Sequence, residues 1–319
     1  MKRVFLTICA AFCAALFLCA CGDSGFSSAS GKRTVVISIP SADHGWTGGV
    51  VSWAEKAKAD IEKENPDVEV IIQTSKTAQE QANGIEAMLA KGVDTIVILP
   101  HEPKALTAVC KKAKKQGVFL AVVDRGLNED VYDIEVLGDN TGFGEAAAEA
   151  IGQELNGSGK IVILEGITGN QVNTDRVNGF KKVLAEKYPG ITILQSTNAD
   201  WNKEKGKNVM ENMLAKFPRI DAVWAGDDDV LEGALEAYKK SGRSDVQLMV
   251  GGGGSKNIVR MVKDGDKLVR LTVTYPPKMI YDAAMLAVKK DTSKKRVILP
   301  AEVVRQDNAE KFYFPDSRY

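Results

Sequence analysis

The side chains able to do chemistry in this sequence fall in short clusters separated by apolar runs. They are Asp43, His44 and Trp46; Asp124 and Arg125; Asp139 and Asn140; Asn173 and Arg176; Asp200 and Trp201; Asp227, Asp228 and Asp229; and Tyr275. Aromatic faces cover C–H surfaces, while carboxylates, amides and guanidinium groups form hydrogen bonds of fixed geometry, so the set suits a polyhydroxylated solute. Other chemistries are poorly supplied. The two histidines, His44 and His101, are too few and too far apart for a histidine-based metal site. The glycine run at 251–254 looks like a phosphate cradle, but no Gly-Lys-Ser/Thr triplet follows it or occurs elsewhere. Asp124 and Asp227 could form a carboxylate pair of the kind glycosidases use, which is the enzyme alternative. No Ser-His or metal motif accompanies them, and the expectation is a protein with no catalytic residue, metal or cofactor.

Several of these residues also have plain structural explanations. The carboxylates at 227–229 suit a helix N-terminus, with Asp228 or Asp229 capping the helix and Asp227 facing a cleft. Arg176 would sit equally well on a solvated helix face. Trp46 could cap a core, as Trp53 and Trp224 are expected to do from their apolar surroundings. His101 follows the run TIVILP and reads as a solvated loop residue.

The elements that must position these groups are legible from Thr34 onward. β-Branched runs at 34–40, 68–73, 95–100 and 119–124 alternate with amphipathic stretches, and the pattern restarts after a run at 134–139. It continues with runs at 160–166, 191–197, 222–226, 246–252 and 268–275, a helical stretch near 277–290 and a short run at 296–300. Nearly continuous apolar strands are buried on both faces, and the helices between them supply the crossovers that parallel pairing needs. The fold class expected is therefore α/β, with two doubly wound parallel-sheet lobes joined by a hinge. In such sheets ligands bind beyond the carboxyl ends of the strands, which is where the polar clusters fall. Composition agrees: 44% of the 319 residues are hydrophobic, and 42 basic residues balance 42 acidic ones, so no overall field steers the chain toward nucleic acid.

The first twenty residues differ from the rest. Lys2 and Arg3 precede an apolar run from Val4 to Ala20, which reads as an export signal, an uncleaved anchor helix being the alternative. The sequence Leu18-Cys19-Ala20-Cys21 is similar to a bacterial lipobox, so cleavage after residue 20 and lipidation of Cys21 are expected, with 21–33 as a flexible tether rich in Gly and Ser. The chain is thus expected to be exported and held at the cell membrane as a lipoprotein. Cys110 is the one cysteine beyond the leader and sits among apolar residues at helical spacing, which marks a buried thiol rather than a nucleophile.

The segments VVDR ending at Arg125, LGDN ending at Asn140, ITGNQVNTDRVNGF at 167–180, ADW at 199–201 and AVWAGDDDVLEGAL at 222–235 resemble the periplasmic sugar-binding proteins of bacterial ATP-binding-cassette importers, the ribose- and galactose-binding group. The resemblance implies a type I periplasmic-binding-protein fold that crosses between lobes three times, with 34–137 plus 276–302 in the N-terminal lobe and 138–275 plus 303–319 in the other. It implies that Trp46 and Trp201 sandwich a sugar, that Asp124, Arg125, Arg176 and Asp227 hold its hydroxyls, and that His44, Asn140 and Tyr275 complete the lining. Leu99, Gly253 and Tyr275 depart from the ribose-type pattern, where an amide, an aspartate and a glutamine are common. The implied partners are a monosaccharide or related polyol and the permease of an ABC importer, with the chain acting as a monomer. A nucleoside or furanone signal, or presentation of ligand to a chemoreceptor or sensor kinase, are the alternatives.

Overall fold

The computed structural model describes residues 31–42 and 45–319. The leader, the tether as far as residue 30, Cys21, Asp43 and His44 lie outside the described residues. Six strands form the first sheet: β1 (Arg33–Pro40), β2 (Val68–Ser75), β3 (Thr95–Ile98), β4 (Phe119–Val123), β5 (Ile134–Gly138) and β11 (Arg296–Leu299). Their order is β11-β5-β4-β3-β1-β2, and every pairing is parallel. The second sheet is also parallel, in the order β7-β6-β8-β9, from β6 (Ser158–Glu165), β7 (Gly190–Asn198), β8 (Ala222–Ala225) and β9 (Leu248–Val250). The chain is therefore an α/β protein of two lobes, each built on a parallel sheet.

Alternation along single strands shows why both faces must be covered. In β1, Val35, Ile37 and Ile39 join the core under α1 (Gly45–Glu64) and α9 (Met279–Val288), whereas Val36 joins the core under α2 (Ala78–Ala90) and α3 (Pro103–Lys115). In β6, Ile161 and Ile163 face α4 (Asn140–Glu154) and α5 (Gln171–Lys187), while Val162 and Leu164 face α6 (Lys203–Lys216) and α7 (Asp228–Ser241). The α1/α9 core and the α4/α5 core are one continuous cluster that runs through Trp46, Phe143 and Tyr275. Burying a large apolar side chain is worth roughly 1.5–3 kcal/mol, so this shared cluster is what joins the lobes.

Two segments differ from the sequence expectation. The run at 268–275 is not a full strand: only β10 (Thr272–Val273) is regular, and it pairs antiparallel with β12 (Val303–Val304). The physical reason lies just upstream, where Asp266 accepts hydrogen bonds from the Leu268 and Val269 N–H groups at 2.8 Å each and removes them from any ladder. An additional helix, α8 (Lys256–Lys263), follows the glycine run. Its signals are Ser255, which caps the Ile258 N–H, and the apolar trio Ile258, Val259 and Val262 on one face.

The carboxyl ends of the first sheet are held by Gln81, a fully buried amide on α2. Its Nε2 donates to the Leu99 carbonyl at 2.9 Å, and its Oε1 accepts from the His101 N–H at 2.7 Å. Cys110 on α3 is buried, and burial pushes its thiol up to about 12, which keeps it protonated and inert. No helix of the described residues is long and apolar enough to cross a membrane.

Candidate functional site

The strand ends of the two sheets face each other across a small cavity lined by Trp46, Asp124, Arg125, Val172, Arg176, Trp201, Asp227, Gly253 and Tyr275. Most of the residues singled out in the sequence thus meet at one place. His44 lies outside the described residues, and Asn140 stands one layer behind the wall.

The aromatic groups are fixed by backbone contacts. Trp46, in the first turn of α1, is buried and donates from Nε1 to the Tyr275 carbonyl at 2.9 Å, with its ring 5.8 Å from the Tyr275 ring. Trp201 follows β7 and has a left-handed backbone with φ 53°, as does Asp200 with φ 52°. Residues with side chains avoid this region unless their surroundings impose it. The indole lies so close to Gly166 that a Cβ there would stand 2.2 Å from Nε1, so only glycine permits this placement.

The polar groups form a network that crosses from one lobe to the other. Asp124, also left-handed at φ 62°, ends β4 and accepts a 2.5 Å hydrogen bond from the Tyr275 hydroxyl. That hydroxyl accepts in turn from Asn140 Nδ2 at 3.3 Å, and Asn140 Oδ1 accepts from Arg176 Nε at 3.0 Å. Arg176 is buried; its Nη1 donates to the Gly226 carbonyl at 2.7 Å, and its guanidinium plane lies 4.2 Å from the Phe143 ring and 4.3 Å from the Tyr275 ring. A guanidinium over two aromatic faces is held in place without using all of its donors. Arg125 lies 3.6 Å from the Asp124 carboxylate and donates to the His101 carbonyl at 3.2 Å.

Asp227 carries two roles at once. It is the N-cap of α7, accepting from the Asp229 N–H at 2.7 Å, so the cap is Asp227 itself rather than Asp228 or Asp229. It also lines the cavity. Burial and the carboxylates of Asp229 and Asp228 push its carboxyl well above the usual range, against the pull of Arg176. Asp228 points away: it accepts from the Ser255 N–H at 2.7 Å and the Thr272 hydroxyl at 3.0 Å, and burial pushes it up to about 6. Burial and the Asp124 charge raise Tyr275, so its proton stays on the phenol and points at Asp124.

Three other polar residues at strand ends are structural. Asn173 accepts from the Gly166 N–H at 2.6 Å, Asp139 caps α4 through the Gly142 N–H at 2.7 Å, and Asp200 pairs with Lys205 at 2.5 Å. Val172 was not singled out by the sequence because an aliphatic side chain in a first helical turn carries no chemical signature. No group of three or more His, Cys, Asp and Glu side chains is placed to hold a metal ion among the described residues.

With this geometry in hand, the comparisons are specific. Residues 35–295 match a family described as periplasmic binding protein domain. The chain is 30% identical over 228 residues to the ribose import binding protein of Bacillus subtilis, covering 72% of each chain. It is 30% identical over 261 residues to the xylitol-binding protein of Mycolicibacterium smegmatis, covering 81% of this chain and 72% of that one. Among solved structures it resembles an ABC transporter periplasmic solute-binding protein from Actinobacillus succinogenes with bound D-allose, with a TM-score of 0.77, 26% identity, and coverage of 88% of this chain and all of the other.

Proposed function

The chain belongs to the periplasmic binding protein domain family, and from that premise we propose that it is an exported solute-binding protein that captures a monosaccharide or related polyol and delivers it to an ABC permease. The observation that carries this reading is a single cavity combining two indoles, Trp46 and Trp201, with Asp124, Arg125, Arg176 and Asp227. Flat apolar faces beside charged hydrogen-bonding groups match a molecule with C–H faces and a rim of hydroxyls. Relatives whose names refer to ribose, xylitol and allose support the same solute class.

In this reading 34–137 with 276–302 form one lobe and 138–275 with 303–319 the other. The indoles stack on the solute, the four charged residues hold its hydroxyls, and His44, Asn140 and Tyr275 complete or brace the lining. Solute contacts to both lobes favour a closed form by differential affinity, and the permease reads that form. Removal of residues 1–20 and lipidation of Cys21 would tether the monomer to the membrane, which mass spectrometry of the native N-terminus tests. The solute is bound and not turned over, with no cofactor.

A thermal melt with D-ribose, D-allose and xylitol tests the binding reading. At least one should raise the melting temperature in a concentration-dependent way, because a ligand of the folded state stabilises it by mass action. The reading fails if none does, or if the stabilising solute is consumed on prolonged incubation.

A further inference from the structure

Tyr319 reaches the heart of the molecule and is not accounted for by the site above. Its side chain is buried, and the phenol oxygen is shielded from solvent with no hydrogen-bond partner among the described residues. Leaving a buried hydroxyl unpaired costs about 1–3 kcal/mol, so a position of this kind calls for a purpose.

Glycines make room for it. A Cβ on Gly49 of α1 would stand 2.7 Å from the Tyr319 Cβ, and one on Gly45, a turn earlier, 3.0 Å from the ring. A Cβ on Gly253 would stand 1.9 Å from the phenol oxygen. The hydroxyl therefore occupies the space that a side chain at 253 would fill, and Gly253 lines both the solute cavity and a neighbouring one whose wall includes Tyr319. Two other wall residues, Asp227 and Arg176, lie near enough for their charges to act on the phenol. Burial and the carboxylates at 227–229 keep that phenol protonated, so it can both donate and accept.

We infer that Tyr319 is a specificity residue: through the gap left by Gly253, its hydroxyl hydrogen-bonds one hydroxyl group of the polyol held in the cavity. The inference rests on the solute-binding reading above. The solute then completes a buried donor that the protein leaves open, and an analogue lacking that one hydroxyl gains nothing from Tyr319.

Calorimetry on the full chain and its Tyr319→Phe variant tests this, with D-ribose, D-allose and xylitol as probes, followed by monodeoxy analogues of whichever binds most tightly. The variant should melt no lower than wild type without solute, since it loses an unpaired hydroxyl. It should bind the tightest probe about tenfold more weakly, the worth of one good hydrogen bond. One deoxy analogue should bind both proteins equally. If wild type binds a probe and Tyr319→Phe binds it as tightly, the inference is overturned while the solute-binding reading stands. A variant that melts lower and loses every probe and deoxy analogue to the same extent overturns it in favour of a packing role. If wild type binds none of the probes, the solute-binding reading fails and this inference falls with it.

Discussion

Asp229, in the first turn of α7, accepts a 2.7 Å hydrogen bond from the backbone N–H of Gly45, the first residue of α1. The carboxylate of one lobe thus sits at the positive N-terminal end of a helix in the other, where negative charge is favoured. A contact that bridges the lobes stabilises their approach whether or not a solute is present. Asp229→Ala should weaken binding of the identified solute by about 0.5–1.5 kcal/mol, roughly two- to tenfold, by raising the free energy of the closed form. Titration calorimetry reads the change, and wild-type affinity in the variant would show that Asp229 plays no part in closure.

Asp227 and Trp201 should behave as solute contacts. Removing the Asp227 carboxyl group strips a desolvated hydrogen-bond partner from the solute, so Asp227→Ala should lose about 1–3 kcal/mol of binding. Trp201→Ala should lose a comparable amount through stacking area. If both variants fold and bind as wild type does, the site is elsewhere.

Trp224 should show the opposite pattern. It is fully buried on β8 and stacks on Phe180, with ring centroids 4.0 Å apart and planes 3° from parallel. Trp224→Ala should reduce stability by about 3–5 kcal/mol through the cavity it leaves. Denaturant unfolding measures that loss, and solute affinity of the folded fraction should be retained.

Asp228 should contribute a loss of stability as pH rises from about 4 to about 6. Burial pushes the Asp228 carboxyl up to about 6 in the folded chain, against an ordinary 3.8. Between those values the folded state holds a proton that the unfolded chain has released, so raising pH favours unfolding. Asp227 is shifted the same way. In Asp228→Asn the carbonyl can still accept from the Ser255 N–H and the amide can donate to the Thr272 oxygen, without the ionisation. Its melting temperature relative to wild type should therefore climb across this window and level off above it. A constant difference between the two proteins from pH 4 to 7 would rule out Asp228 as the source.

The sequence revealed the parallel sheets and most of the cavity for the same reason. A strand buried on both faces is apolar until it stops, so a charged residue directly after Val123, as Asp124 is, stands out against its background. Tyr319 escaped that logic because no apolar run leads into it and its neighbours, Gly45, Gly49 and Gly253, come from distant parts of the chain. Asn140 was recognised by type but not by position, since spacing cannot tell a wall residue from one that braces Arg176 behind it. Trp53 was expected in the core; it is half-buried and meets Tyr281 and Phe314 edge-on at 5.8 Å, because a surface helix also has a margin.

The placement of β11 bears on how the protein is made. Its Arg296 bonds Glu135 on β5 across 161 residues of chain, and the whole second sheet lies between them in sequence. During synthesis the outer edge of β5 therefore has no neighbour until nearly all of the second lobe has been translated. An open parallel edge is a template for the wrong partner. A nascent chain of this protein is accordingly most exposed to misassembly in the interval between translation of residue 138 and of residue 299.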